Sequence, residues 1–298
     1  MQVVKFGNLQ WIDIVAPCDD DIRYLEDHFG FHQLILQEVR TPTLHPLVAE
    51  YEGYLFLVLH FPNQSKNTGR VLNAEIDFLI TTDTIVSVRY QTFDDFQEQL
   101  HSMADNHDVH KTTGHLFHAM AKHLFSSTFP ELDGIKKAVD DAEDAIFAHV
   151  DDANIERLAD IKRKVLDILR ALRPQESVWE SFHTIATRFW GEGMRPYLSD
   201  LDADYNRVLH FAEMHLSIID SIHVTASFLL DNRRNNVMKV LTLFTAIILP
   251  LSLITSIFGM NFTHIPYAAN PQAFYWLIAG MVASTILMIV YFRNKKWL

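Results

Sequence analysis

The sequence predicts an α-helical integral membrane protein with a soluble α/β domain. Two apolar runs, residues 240–258 and 274–292, contain no charged residue. Each run is about as long as the ~20 residues that cross a bilayer core. Signals for β-strands are confined to about the first 95 residues, and helical periodicity follows them. Helix breakers are also missing before the first apolar run, which predicts one long helix that becomes a membrane span.

The domain of residues 1–95 is predicted to contain a sheet and an amphipathic helix. Residues 54–62, 74–83 and 84–90 are rich in β-branched and aromatic side chains and are bounded by polar turns, which is typical of strands. Residues 18–30 begin with acidic side chains and end at a glycine, which indicates a helix between them.

Residues 96–195 are predicted to be a helical region, in which apolar side chains recur at helical spacing. One such face is formed by Leu158, Ile161, Val165, Ile168 and Leu172. Residues 196–258 are predicted to form one stalk helix that includes the first span, because Pro250 is the one breaker between Pro196 and Gly259. At 1.5 Å per residue this helix would be ~90 Å long, which is more than a globular core needs.

The flanks of the apolar runs predict their orientation. Basic residues precede the first run and follow the second, whereas the loop of residues 259–273 carries no charge. By the positive-inside rule both termini are cytoplasmic, and residues 274–298 form the second span with a basic C-terminus. A core helix of a soluble protein can also be uniformly apolar, but two such runs with interfacial aromatic residues are hard to place in a soluble core.

Composition restricts the partners of the soluble part. Residues 1–10 lack the apolar segment of a signal peptide, so we expect the N-terminal part to remain inside the cell. One cysteine, Cys18, excludes an intramolecular disulfide framework. The formal net charge of −12 argues against nucleic acid and anionic lipid and favours cations. The sequence contains neither a phosphate-binding glycine loop nor a nucleophile elbow, so we do not expect an enzyme.

A polar stripe runs along one face of the first span. Its members alternate in spacing between three and four residues and are Asn235, Met238, Thr242, Thr245, Leu249, Ser252 and Ser256. Small and hydroxylic residues at this spacing fit either a helix-packing face or the lining of a water-filled pore. The stripe continues towards Asp231 at one end and Gly259, Met260 and Asn261 at the other. A pore would require several copies around an axis, because two spans cannot enclose a conduit.

These residues carry a resemblance to a known family. The stretch "NNVMKVLTLFTAIILPLSLITSIFGMNF" and the C-terminal "YFRNKKWL" resemble the CorA-type divalent-cation channels. "WIDIVAPCDDDIRYLEDHFGFHQL" and "HPLVAEYEGYLFLVLHFP" are similar to the N-terminal domain of that family. The resemblance implies a homopentameric funnel in the inner (plasma) membrane. Five first spans would surround the pore, and a cytoplasmic αβα domain would cap the long helices.

The resemblance also implies a transport mechanism for Mg²⁺. Mg²⁺ gives up its water reluctantly, so a ring of Asn261 amide oxygens in the Gly259-Met260-Asn261 filter could select the hydrated ion. Met238 and Leu249 would form apolar constrictions, Asn235 would mark the cytoplasmic mouth, and the hydroxyl groups between them would offer oxygens.

The resemblance further implies regulation by cytoplasmic divalent ions. Asp200, in "YLSDLD", matches a family aspartate at the head of the stalk helix and is the candidate regulatory ligand. The family often has an acidic ring where this chain has Val224, and Asp231 lies nearby as a second candidate. A solvated helix face is the alternative account of the aspartates around Asp200.

The outer loop departs from the family pattern. The family usually continues with an acidic residue after Gly-Met-Asn, but residues 262–267 contain no carboxylate. The loop thereby resembles relatives such as the ZntB zinc transporters, so Zn²⁺, Ni²⁺ and Co²⁺ stand beside Mg²⁺ as candidate ions. A non-conducting membrane scaffold is the third possibility, although it does not explain the polar stripe.

Overall fold

The computed structural model describes residues 1–43, 45–64, 71–91, 111–260 and 271–295. The chain divides into two compact units, Met1–His223 and Val224–Leu298.

The first unit contains a six-stranded mixed sheet with the order β1-β2-β6-β5-β4-β3. Its strands are β1 (Gln2–Phe6), β2 (Leu9–Val15), β3 (Leu47–Tyr51), β4 (Tyr54–Gln64), β5 (Val71–Ile80) and β6 (Thr84–Arg89). The pairing of β2 with β6 is parallel, and the other neighbours are antiparallel. Strands β4 to β6 confirm the three strands that the sequence predicts.

Two short helices cover one face of the sheet. Helix α1 (Asp19–Phe29) begins with three aspartates and ends at Gly30, whose φ of 64° lies in the left-handed region that glycine adopts without strain. This confirms the helix predicted at residues 18–30. Helix α2 (Gln33–Glu38) follows it. Apolar side chains of both helices form one core cluster with alternate residues of β2, β4, β5 and β6.

Three longer helices cover the opposite face. They are α3 (Thr113–Ala148), α4 (Asp152–Leu172) and α5 (Glu176–Trp190). Phe117 of α3 packs edge-on against Phe78 of β5 with ring centroids 5.3 Å apart, and it also contacts Phe182 of α5. The face predicted for α4 from Leu158 to Leu172 is buried. The sheet between two helical layers confirms the αβα architecture.

A buried polar network lies on this second face of the sheet. Arg89 of β6 forms an ion pair of 2.8 Å with Asp13 of β2, and both side chains are at most 2% exposed. The Ser87 hydroxyl donates to Asp13, and the Trp11 indole donates to Ser87. The parallel pairing of β2 with β6 brings these residues together across 74 to 76 positions of sequence.

The long helix predicted before the first apolar run is present. Helix α6 (Arg195–Phe258) has 64 residues and includes Pro250, and helix α7 (Pro271–Asn294) has 24. Two stretches of the described chain, Glu192–Phe258 and Phe274–Asn294, are long and apolar enough to cross a membrane, with mean hydropathies of 2.2 and 1.9. Their apolar windows are 6% and 0% buried, whereas a core helix of a soluble protein is mostly buried.

Candidate functional site

The predicted polar stripe lies on an exposed face of helix α6. All seven members, Asn235, Met238, Thr242, Thr245, Leu249, Ser252 and Ser256, are exposed. The less exposed positions recur at Leu243, Ala246, Ile247, Pro250, Leu251 and Ile254. Neighbouring positions such as Thr242 and Leu243 are rotated by about 100° around the helix axis. The described part of this unit therefore shields a different face of α6 and leaves the stripe open.

Two threonines of the stripe bond to their own helix. The Thr242 hydroxyl donates to the carbonyl of Met238 at 2.7 Å, and the Thr245 hydroxyl donates to that of Leu241 at 2.9 Å. Each hydroxyl thereby uses its one proton, and its oxygen lone pairs stay available as acceptors. The water shell of a hydrated cation donates hydrogen bonds, so these oxygens have the polarity that such an ion requires.

Apolar and acidic positions accompany the hydroxyl groups. Met238 and Leu249, the two predicted constrictions, are 54% and 61% exposed. Asp231, the second candidate ligand, and Val224, where the resemblance leads us to expect an acidic ring, are also exposed. These side chains are accessible to water, lipid or another copy of the chain.

The Gly-Met-Asn tripeptide is described in part. Helix α6 ends at Phe258, and the Gly259 amide still donates to the carbonyl of Thr255 at 2.9 Å. A Cβ atom on Gly259 would lie 3.2 Å from that carbonyl oxygen, so close approach of the backbone favours glycine here. Met260 is 50% exposed, and Asn261 lies outside the described residues.

Asp200, the predicted regulatory ligand, has two hydrogen-bonding partners in its own unit. Its carboxylate accepts from Nε2 of His118 at 2.8 Å and from the ammonium of Lys122, both on α3. The hydrogen bond from Lys122, followed by that from His118, holds the pKa of Asp200 below its usual value. A cation at Asp200 would therefore have to compete with Lys122.

The two neighbouring aspartates of helix α6 are also paired. Asp204 lies 3.6 Å from Lys122, and Asp202 accepts from Nδ1 of His183 on α5 at 2.8 Å. Burial raises the pKa of Asp202, and His183 partly offsets that shift. Within the described ranges, no three His, Cys, Asp or Glu side chains converge as metal ligands would.

The sequence analysis did not predict these side-chain pairs, although the sequence contains a pattern that indicates them. His118 and Lys122 are four residues apart on α3, and Asp200 and Asp204 are four residues apart on α6. Side chains at that spacing share one face of a helix, so two helices with complementary pairs can dock. The residues that pair are 78 and 82 positions apart, and local patterns do not reveal which helices meet.

Comparison with known proteins agrees with this architecture. The "Cobalt/magnesium transport protein CorA" of Thermotoga maritima is 24% identical over 97% of this chain and 83% of its own length. The solved structure of the CorA magnesium transporter from Methanocaldococcus jannaschii superposes with a TM-score of 0.83 and 21% identity, over 98% of this chain and 92% of that one. The solved structure of the ZntB cytoplasmic domain from Vibrio parahaemolyticus superposes with a TM-score of 0.64 and 14% identity, over 76% of this chain and 89% of that one.

The sequence model of the family described as "CorA-like Mg2+ transporter protein" matches residues 6–295, which include both membrane-span candidates. A family of transporters agrees with the prediction that the chain is not an enzyme. The resemblance drawn from the Gly-Met-Asn helix and the N-terminal stretches is thereby confirmed, and this chain belongs to the CorA-like Mg²⁺ transporter family.

Proposed function

We propose that this chain transports divalent cations, most of all Mg²⁺, across the cytoplasmic membrane, with both termini in the cytoplasm. The family match over residues 6–295 carries the proposal. The names of its relatives add that Co²⁺ is a second candidate substrate. The two exposed apolar helices support a place in the bilayer.

The transporting unit is a homopentamer in this proposal. Two spans cannot enclose a water-filled path, so several copies must contribute one stripe each. The stripe is open in the described chain, and this supports its use between copies or along a pore. In the pentamer, Thr242, Thr245, Ser252 and Ser256 line the path.

Selectivity arises at Gly259, Met260 and Asn261. Mg²⁺ requires octahedral oxygen ligands and dehydrates slowly, so a ring of amide oxygens that accepts hydrogen bonds from its water shell suits the hydrated ion. Asn261 supplies that oxygen, and Met260 packs. Asn235 stands at the cytoplasmic mouth, and Met238 and Leu249 close the path by dewetting.

Regulation uses cytoplasmic divalent ions. At high Mg²⁺ an ion bound by Asp200, or by Asp231 nearer the membrane, would join neighbouring subunits and hold the pore closed. The contact between Asp200 and Lys122 suggests how such a site is tuned, because the ion has to displace an ammonium group that is already present.

A transporter of Zn²⁺, Ni²⁺ or Co²⁺, similar to ZntB, is the second candidate function. The absence of carboxylates from residues 262–267 favours it, since such a loop does not concentrate Mg²⁺ electrostatically. A membrane scaffold without transport activity would also possess two spans.

Ion uptake into proteoliposomes tests the proposal. We expect Mg²⁺ uptake by the wild type, and competition with Co²⁺, Ni²⁺ and Zn²⁺ ranks the ions. Asn261→Ala should reduce uptake or selectivity and leave the pentamer intact, whereas Asn270→Ala in the same loop serves as the matched control. If the intact protein takes up no divalent ion, the result favours the scaffold without transport activity. If Asn261→Ala takes up ions as the wild type does, Asn261 does not form the selectivity filter.

A further inference from the structure

The face of the sheet that α1 and α2 cover contains a carboxyl group in apolar surroundings. Asp77 of β5 is fully buried, and the strand register places it between Val58 of β4 and Val88 of β6. Both valines belong to the core cluster that includes side chains of α1 and α2. Nothing in the proposed transport mechanism uses Asp77.

Asp13, on the opposite face of the sheet, has a different environment. Its ion pair with Arg89 offsets the loss of hydration that burial imposes on a carboxylate. At Asp77 the Tyr90 hydroxyl donates to Oδ2 at 2.7 Å, and within the described residues no group donates to Oδ1. One neutral donor does not compensate for the burial of a negative charge, so these surroundings favour the uncharged carboxylic acid at Asp77.

The neighbouring ionisable groups also favour a proton on Asp77. Glu75, two residues earlier on the same face of β5, lies within hydrogen-bonding reach of Asp77, and Glu38 of α2 adds a second negative charge. The other titratable groups that face the site are Tyr90 and His60, and α1 packs apolar side chains into this cluster. Burial is the largest cause that raises the pKa of Asp77 well above its usual value, and the negative charges add to it.

Glu75 connects Asp77 to the segment between α2 and β3. Its Oε1 accepts from the backbone N–H of Thr43 at 2.6 Å, and its Oε2 accepts from Nε2 of His60 at 3.0 Å. The same Nε2 lies 3.3 Å from the carbonyl oxygen of Thr43. Both backbone polar groups of Thr43 are therefore held by the buried pair of Glu75 and His60.

We propose that Asp77 and Glu75 share one proton and form a pH-sensitive latch on the segment that joins α2 to β3. In the latched state the Asp77 carboxylic acid donates to the Glu75 carboxylate, which holds Thr43. When hydroxide removes that proton as water, two carboxylates face each other in a site of low dielectric constant. The side chain of Glu75 then turns away from Asp77 and releases Thr43. This proposal is independent of the proposed transport function.

The arrangement favours a proton over a metal ion as the bound species. Within the described ranges no three His, Cys, Asp or Glu side chains converge as metal ligands would. Mg²⁺ needs six oxygen ligands at about 2.1 Å, whereas a proton needs only one acceptor oxygen beside the carboxyl group that carries it. The pair of Asp77 and Glu75 supplies that minimum.

Infrared spectroscopy of the full-length protein in detergent, at a fixed Mg²⁺ concentration, tests for the shared proton. At a pH of about 7 an ordinary carboxyl group is ionised, because its pKa is about 4. The C=O stretch of a carboxylic acid therefore reports only carboxyl groups that retain their proton. The spectrum of the wild type minus that of Asp77→Asn should contain such a band, and the band should disappear as the pH rises.

Two variants should move this transition in opposite directions. Glu75→Gln removes the adjacent negative charge and should lower the transition by about 1–3 pH units. Tyr90→Phe removes a donor that favours the carboxylate and should raise it. Glu38→Gln is the control for charge, because Glu38 is exposed and solvent screens it, so its shift should be smaller than that of Glu75→Gln. The two variants are independent, so one suffices if the other fails to fold.

Hydrogen–deuterium exchange tests the latch itself. At a pH above the infrared transition, peptides that cover residues 39–43 should exchange several-fold faster in the wild type than in Asp77→Asn. The asparagine amide stays neutral and still donates to Glu75, so this variant should remain latched. Comparison at one pH cancels the intrinsic pH dependence of exchange. Peptides from helix α4 are the internal control and should exchange equally in both proteins.

The absence of a carboxylic acid band from the difference spectrum would overturn the proposal, as would a transition that Glu75→Gln leaves unchanged or Tyr90→Phe lowers. Equal exchange of residues 39–43 in the wild type and Asp77→Asn above the transition would overturn it as well. A band that shifts in the predicted directions, together with faster exchange in the wild type, would establish the latch, whatever the outcome of the ion-uptake experiment.

Discussion

The two units of the chain differ in where their side chains find partners. In Met1–His223, buried polar groups such as Asp13 and Arg89 bond to each other within the chain. In Val224–Leu298, large apolar side chains such as Phe244, Leu249 and Trp276 are 61% to 78% exposed. The first unit therefore pairs its buried polar groups within the chain, whereas the second exposes apolar surface that lipid or other copies of the chain would cover in the proposed transporter. Substitutions should accordingly change stability in the first unit and transport in the second.

The largest effect on stability is expected at the buried ion pair. Arg89→Met leaves the Asp13 carboxylate buried without its guanidinium, which should lower the free energy of unfolding by about 3–5 kcal/mol. Arg173→Met is the matched control, because its pair with Glu213 has the same chemistry but is 55% and 38% exposed, and should cost at most about 1 kcal/mol. Denaturant titration in detergent compares them. Equal losses would mean that burial does not distinguish the two pairs.

The same ion pair shows what the sequence could not reveal. Strands β4 to β6 were predictable because alternation and flanking turns are local, and helix α1 because its acidic start and Gly30 are local. Strand β2 was not predictable, since Asp13 interrupts its apolar pattern. The ion-pair partner of Asp13, Arg89, lies 76 residues away in the sequence. The polar stripe was predictable from its period, but the partners of Asp200 depend on which helices pack together.

The next effect is a pH dependence from Asp77. This side chain is fully buried, its Oδ1 has no partner within the described ranges, and its Oδ2 accepts from the Tyr90 hydroxyl at 2.7 Å. Burial, with the nearby negative charges of Glu75 and Glu38, raises the pKa of Asp77 well above its usual value. The folded state thus holds this proton more tightly than the unfolded state does.

Stability should consequently fall as pH rises from the ordinary aspartate range through the raised pKa of Asp77. The loss is about 1.4 kcal/mol for each unit by which the folded pKa exceeds the unfolded one. Asp77→Asn stays neutral and should remove this part of the slope, whereas the exposed Asp27→Asn should leave it unchanged. Unfolding free energies at a series of pH values give the difference. A wild-type slope that Asp77→Asn retains would assign the titration to other groups.

A smaller effect is expected at the paired aspartates. The side chains of Lys122 and Asp200 are 44% and 43% exposed, so Lys122→Met should lower the free energy of unfolding by at most about 1 kcal/mol. It also removes the cation that competes for Asp200, so Mg²⁺ should protect Met1–His223 from proteolysis at a several-fold lower concentration. Asp200→Ala should abolish that protection, and Lys137→Met should not alter it. Unchanged protection in both Asp200→Ala and Lys122→Met would assign Asp200 to a solvated helix face.

The smallest effect on the stability of the first unit is expected from Leu249→Ser. Leu249 is 61% exposed, and the described chain gives it few contacts to lose, so unfolding of Met1–His223 should be unchanged. A hydroxyl at an apolar constriction eases hydration of the path, so Mg²⁺ uptake should rise or its closure by internal Mg²⁺ should weaken. Leu253→Ser is the matched control, because Leu253 is 59% exposed and lies outside the stripe. If both variants alter uptake equally, the stripe is not the path, and if neither does, the constriction lies elsewhere on helix α6.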